Sequence, residues 1–98
     1  EVMPAFPGGE AEMMQYISSH IRYPELAKES NVQGTVYITF VVNKNGEITD
    51  IETKRGIGSG CEEEAMRVVK SMPHWSPGLM NGNAVRVQYI LPVKFSLR

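Results

Sequence analysis

The stretch GTVYITFVV–NKNG–EITDIETK, residues 34 to 54, constrains the chain most. Val36, Ile38, Phe40 and Val42 alternate with Tyr37, Thr39 and Val41, the period of two that puts one set of side chains on each face of a strand. β-Branched and aromatic residues dominate the run, as suits a pleated, half-buried surface. Asn43–Gly46 then supplies turn residues and a glycine able to take a positive φ, so residues 47–54 return as an antiparallel partner. Ile48 and Ile51 cannot share a face at a strict period of two, which predicts a bulge near Thr49 and Asp50.

A second alternating run, VRVQYILPVKF at 85–95, places Val85, Val87, Tyr89, Leu91, Val93 and Phe95 on one face. Pro92 has no N–H for a ladder, so this strand, read over residues 84–96, belongs at a sheet edge. The N–H and C=O of one strand residue point to the same side. If position 92 faces outward, the backbone groups of Arg86, Gln88 and Ile90 face outward with it.

Helical spacing appears elsewhere. Met13, Met14, Ile17 and Ile21 recur at three and four residues from Glu10 to about Ile21, behind a Pro/Gly-rich extended lead-in over 1–8. Pro24 opens a second short helix with Leu26 and Ala27 turned inward. Ser59 and Glu62 have capping-box spacing ahead of a helix whose apolar stripe is Cys61, Ala65, Val68, Val69 and Met72, ended by Pro73. HWSPGLMNGN reads as a loop anchored by Trp75, with its indole N–H satisfied. The order helix, helix, strand, strand, helix, strand predicts an α+β fold, a three-stranded antiparallel sheet with helices on one face. With 98 residues and 42% hydrophobic content, one domain over 1–98 is expected.

The function classes excluded follow from charge and spacing. A formal net charge of −1 provides no basic field for phosphate neutralisation, so nucleic-acid binding is not expected. The longest apolar runs fall far below the roughly 20 residues that span a bilayer. One cysteine leaves no internal disulfide framework. EVMPAF, with neither an initiator methionine nor a leader, reads as the start of a mature fragment or of a domain cut from something longer. RGIGSGCEEE departs from the phosphate-cradling glycine pattern and crowds three carboxylates where phosphate would sit. Cys61 lies on an apolar stripe, and His20 and His74 lack metal-ligand spacing. No enzyme, cofactor or metal site is expected.

Taken together, YPELAKESNVQGTVYITFVVNKNGEITD, EEEAMRVVKSMPHWSPG and VRVQYILPVKF resemble the carboxy-terminal domain of the TonB family over about residues 6–95. The markers are Tyr23-Pro24, Gly34 and Gly46 around the alternating strand, Trp75-Ser76-Pro77-Gly78, and the close on Pro92, Val93 and Phe95. FPGGEAEMMQYISSHI resembles the version of this domain common among large, transporter-rich bacterial families. The resemblance implies a periplasmic domain of an energy transducer anchored in the inner membrane, driven by proton-powered motor proteins through an amino-terminal part absent here. It implies a partner as well, the TonB box of outer-membrane transporters for nutrients or siderophores, added as a strand at the last strand's edge. By position the docking residues are Arg86, Gln88, Ile90, Pro92 and Lys94, bordered by Tyr23 and Pro24. The alternative is a similar interaction or sensor domain appended to a membrane-anchored peptidase or receptor. An open edge also offers self-pairing as a homodimer.

Overall fold

The computed structural model describes residues 1–97. Two helices, α1 (Glu10–His20) and α2 (Glu25–Glu29), precede the strands β1 (Gly34–Val42) and β2 (Ile48–Arg55). Helix α3 (Cys61–Lys70) follows, then a small hairpin of β3 (Gly78–Met80) and β4 (Asn83–Val85), and finally β5 (Val87–Phe95). The main sheet has the order β2-β1-β5, antiparallel throughout, so β1 is central and β5 is an edge.

The alternation of β1 is fully used. Val36, Ile38, Phe40 and Val42 are all completely buried, and Leu91, Val93 and Phe95 of β5 are buried on the same face. The helices supply the opposing layer through Met13, Ile17 and Ala27 and through Cys61, Ala65, Val68 and Val69. α3 lies over β1 and β2. Its stripe is buried at the positions that 3.6-residue spacing dictates, and it ends at Lys70, ahead of Pro73.

Several local expectations require correction. Met14 and Leu26 are exposed, 51% and 59%; α1 rests on the core through Met13 and Ile17, and α2 through Ala27 alone. A five-residue helix presents too narrow a face to bury both Leu26 and Ala27. Pro24 is the N-cap of α2, and the helix begins at Glu25. Ser59 does not cap α3: the cap is Gly60, no side chain bonds there, and Ser59 itself has φ +58°. The Glu62 carboxylate instead reaches back to accept the Gly58 N–H at 2.9 Å. The stretch 74–83 is not all loop, because β3 and the start of β4 lie within it.

The expected β2 bulge is present. Thr39 pairs with Glu52 and Val41 with Thr49, so β2 carries one extra residue there, and Asp50 has φ +53°. A second irregularity, between the Tyr37–Arg55 and Ile38–Thr53 pairs, inserts Lys54. The final strand is interrupted where one continuous strand was expected. Val85 belongs to β4, which pairs with β3, while β5 starts at Val87 and pairs with β1. The chain changes sheets at Arg86.

Three contacts tie the layers together. The Tyr16 hydroxyl donates to the Ser71 carbonyl at 2.7 Å, joining α1 to the end of α3. The Glu64 carboxylate accepts from the Arg22 backbone N–H at 2.7 Å and from Arg67, whose other contact is the His20 carbonyl. Residues 2 and 5 bridge to Leu79 and Ser76, so the amino-terminal stretch lies along the start of the small hairpin with Phe6 buried.

Candidate docking edge

β1 and β5 pair without a register shift from Gly34–Phe95 to Val42–Val87, nine consecutive pairs. In an antiparallel ladder, pairs that exchange hydrogen bonds alternate with pairs that do not. Pro92 has no N–H, so its pair with Tyr37 fits the unbroken ladder as a non-bonded one. Alternation then turns the backbone groups of Leu91 and Val93 toward β1, and those of Gln88, Ile90, Pro92 and Lys94 toward the free edge. The edge thus offers N–H donors at 88, 90 and 94 and carbonyl acceptors at all four positions.

The two outer strands differ in how they are guarded. β2 carries two irregularities and an exposed, charged run from Glu52 to Arg55, devices that discourage strand addition. β5 is regular and without a bulge. Its own guards, Pro92 and Lys94, sit in the carboxy-terminal half, which leaves the half around Gln88 and Ile90 the more open. Ile90 is 53% exposed on the face away from the helices, near Tyr37, Lys54 and Arg55, which with it line a shallow cavity of about 440 Å³.

The structure separates the expected site residues into three groups. Gln88, Ile90, Pro92 and Lys94 share β5 and are all exposed. Arg86 lies outside β5: its Nε donates to Asn43 Oδ1 at 2.9 Å and its Nη2 lies 3.5 Å from Asp50 Oδ2, fastening the chain crossing to the β1–β2 turn. The chain changes sheets there, so the backbone at 86 is not part of the β5 ladder. Tyr23 packs edge-on against Phe95, ring centroids 5.6 Å apart, and its hydroxyl donates to the Val32 carbonyl; burial raises its pKa first, and the neighbouring Cys61 adds to this. Pro24 lies near Gly60. Both residues therefore stand at the Phe95 end of β5, away from Gln88.

On the helix side of β5, Tyr89 closes an aromatic cluster, with its ring 5.0 Å from Trp75 and 5.6 Å from Phe40. Trp75 anchors its loop as expected, 4% exposed, but its Nε1 has no hydrogen-bond partner among the described residues. The rings of Phe6, Phe40 and Tyr89 surround it, and an aromatic face is at best a weak acceptor. Cys61 is fully buried, and burial, followed by the charges of Glu62 and Glu63, pushes its thiol pKa up; such a group is a packing residue and not a ready thiolate. A cavity of about 310 Å³ between residues 3–6, α1 and Tyr89 had no signal in the sequence, because it depends on the amino-terminal stretch folding back to residues 76–79.

The sheet, its helical layer and the regular last strand make a small α+β domain with β5 at an edge of its sheet. The family described as Gram-negative bacterial TonB protein C-terminal matches residues 19–97, and the chain belongs to it. Protein TonB of Pseudomonas putida is 27% identical over 97 residues, which cover 95% of this chain and 39% of that protein. Protein TonB of Helicobacter pylori (strain ATCC 700392 / 26695) is 30% identical over 83 residues, covering 84% and 28%. The solution structure of a Helicobacter pylori TonB carboxy-terminal domain superposes with a TM-score of 0.69 at 27% identity, covering 90% of this chain and 92% of that one. The chain spans between 22% and 39% of the length of the curated relatives it matches.

Proposed function

We propose that this domain is the periplasmic docking module of a TonB-type energy transducer, taking an extended segment of an outer-membrane transporter as an added strand on β5. The supporting observation is the contrast between the edges: β2 is bulged and charged, whereas β5 runs in unbroken register with outward donors at Gln88, Ile90 and Lys94. Strand addition draws affinity from such backbone groups and selectivity from the pockets beside them. Pro92 supplies no donor, so pairing is concentrated on Gln88 and Ile90. Tyr23 and Pro24 border the far end, and Arg86 contributes by fixing where the edge begins. Anchorage in the inner membrane and coupling to a proton-driven motor would belong to parts of the protein outside this domain. The same edge is open to a second copy of the chain, which sedimentation at several concentrations would reveal as a dimer.

The substitution Gln88→Pro tests the reading. It removes an outward N–H and leaves the inner ladder intact, so affinity for amino-terminal transporter peptides should fall at least tenfold while the melting temperature stays close to wild type. Unchanged affinity in a folded variant would contradict the placement.

A further inference from the structure

Residues directly opposite one another on neighbouring strands project to the same face. Tyr89 projects to the helix side, with Leu91 and Val93. A residue docked opposite Tyr89 must therefore project to that side too. The backbone groups of Tyr89 are turned toward Phe40, so this new pair would be a non-bonded one, the kind in which the two side chains approach most closely.

On that same side Tyr89 walls the cavity of about 310 Å³ together with Met3, Phe6, Met13 and Trp75, with Glu10 as its one charged residue. The volume accommodates a whole aliphatic or aromatic side chain, and the walls are mainly apolar. The charge of Glu10 reaches Tyr89: it is the second cause, after burial, of the raised pKa of that phenol. An acidic side chain entering here would meet both desolvation and a like charge.

Building on the docking reading above, we propose that this pocket takes one uncharged apolar side chain of the docked strand, from the residue opposite Tyr89, and that Glu10 rejects an acidic residue there. Residues opposite Gln88 and Ile90 project to the open side of the sheet and escape this selection. The pocket thereby reads one position of a partner whose remaining contacts are backbone.

The chain's one tryptophan lines the pocket, so its indole N–H resonance reports occupancy separately from the edge amides. The probes are capped peptides Thr-Ala-Thr-X-Thr-Ala-Thr, with X as leucine, alanine or aspartate, titrated into the folded domain by amide-resolved NMR. The leucine peptide should shift the amides of Gln88 and Ile90 together with the Trp75 indole. The alanine peptide should shift the same edge amides with roughly tenfold or more weaker affinity, the loss expected from the missing apolar burial. The aspartate peptide should bind more weakly than alanine, and Glu10→Gln should narrow that gap without closing it, because the desolvation cost of the carboxylate remains. Equal affinities with an unmoved indole would overturn the pocket and leave strand docking standing. An indole shift without edge shifts would also overturn it, since the pocket would then act apart from a docked strand. Silence at the edge amides with every peptide would overturn the docking reading and this inference with it.

Discussion

The backbone N–H of Trp75 donates to the carbonyl of Gly46 at 2.8 Å, and a Cβ added at Gly46 would stand 2.0 Å from the Trp75 carbonyl oxygen. The β1–β2 turn and the tryptophan loop are thus locked backbone to backbone, at a position where Gly46 has φ +87°. This contact holds Trp75 in place behind Tyr89, and so supports the edge strand from within.

Gly46→Ala should destabilise the domain by about 2–4 kcal/mol, the sum of a left-handed conformation unsuited to alanine and a backbone clash that no rotamer relieves. Chemical denaturation followed by Trp75 fluorescence measures it; a loss below about 0.5 kcal/mol would show that the lock is loose.

Glu64 yields a pH-dependent prediction. The hydrogen bonds from Arg67, assisted by the Arg22 backbone N–H and opposed by burial, hold its carboxyl below the usual glutamate range. A depressed carboxyl stabilises the fold above its unfolded value, and that contribution disappears as pH falls through the folded one. Glu64→Gln should therefore cost about 1 kcal/mol at pH 7, kept small because Arg67 is half exposed and screened. The difference from wild type should shrink as pH falls below about 4.3. Stability curves of both proteins from pH 7 to pH 3 check the sign.

Neighbouring positions on β5 should behave oppositely. Leu91 is 1% exposed and Ile90 53%, so Leu91→Ala should cost about 2–5 kcal/mol and Ile90→Ala within about 0.5 kcal/mol. Equal costs would mean that the strand is not held in this register.

Arg86→Ala should lower stability by about 0.5–1 kcal/mol through loss of its bond to Asn43, the ion pair with Asp50 being exposed. Peptide affinity should change less than twofold, because the side chain points to the hairpin turn and not along the edge. A tenfold loss of affinity would restore Arg86 to the docking surface.

What the sequence made legible follows from where periodicity operates. β1, its turn and α3 could be read because burial is one-sided over nine or ten residues, long enough for a period of 2 or 3.6 to stand out. β3 and β4 could not, because three-residue strands in a run of Pro, Gly and Asn carry no period. Val85 and Arg86 continue the alternation of β5 in sequence while belonging to another pairing, and only the sheet change reveals it. Leu26 was misplaced because a five-residue helix leaves the angle of its apolar face undetermined, and Met14 because it flanks the narrower stripe of Met13 and Ile17 on which α1 rests. Pro92 announced the edge, since a missing donor is a property of the residue itself. The pocket beside Tyr89 stayed invisible, being assembled from residues 3–6, α1 and Trp75 only after the chain has folded.

The central claim is that β5 accepts an added strand. Amide-resolved NMR titration of the domain with amino-terminal segments of outer-membrane transporters from the same organism tests it most directly. Shifts should concentrate on residues 87–95, strongest at Gln88 and Ile90 and weakening beyond Pro92. Shifts gathered instead on β2, or no shifts across a broad peptide set, would contradict it.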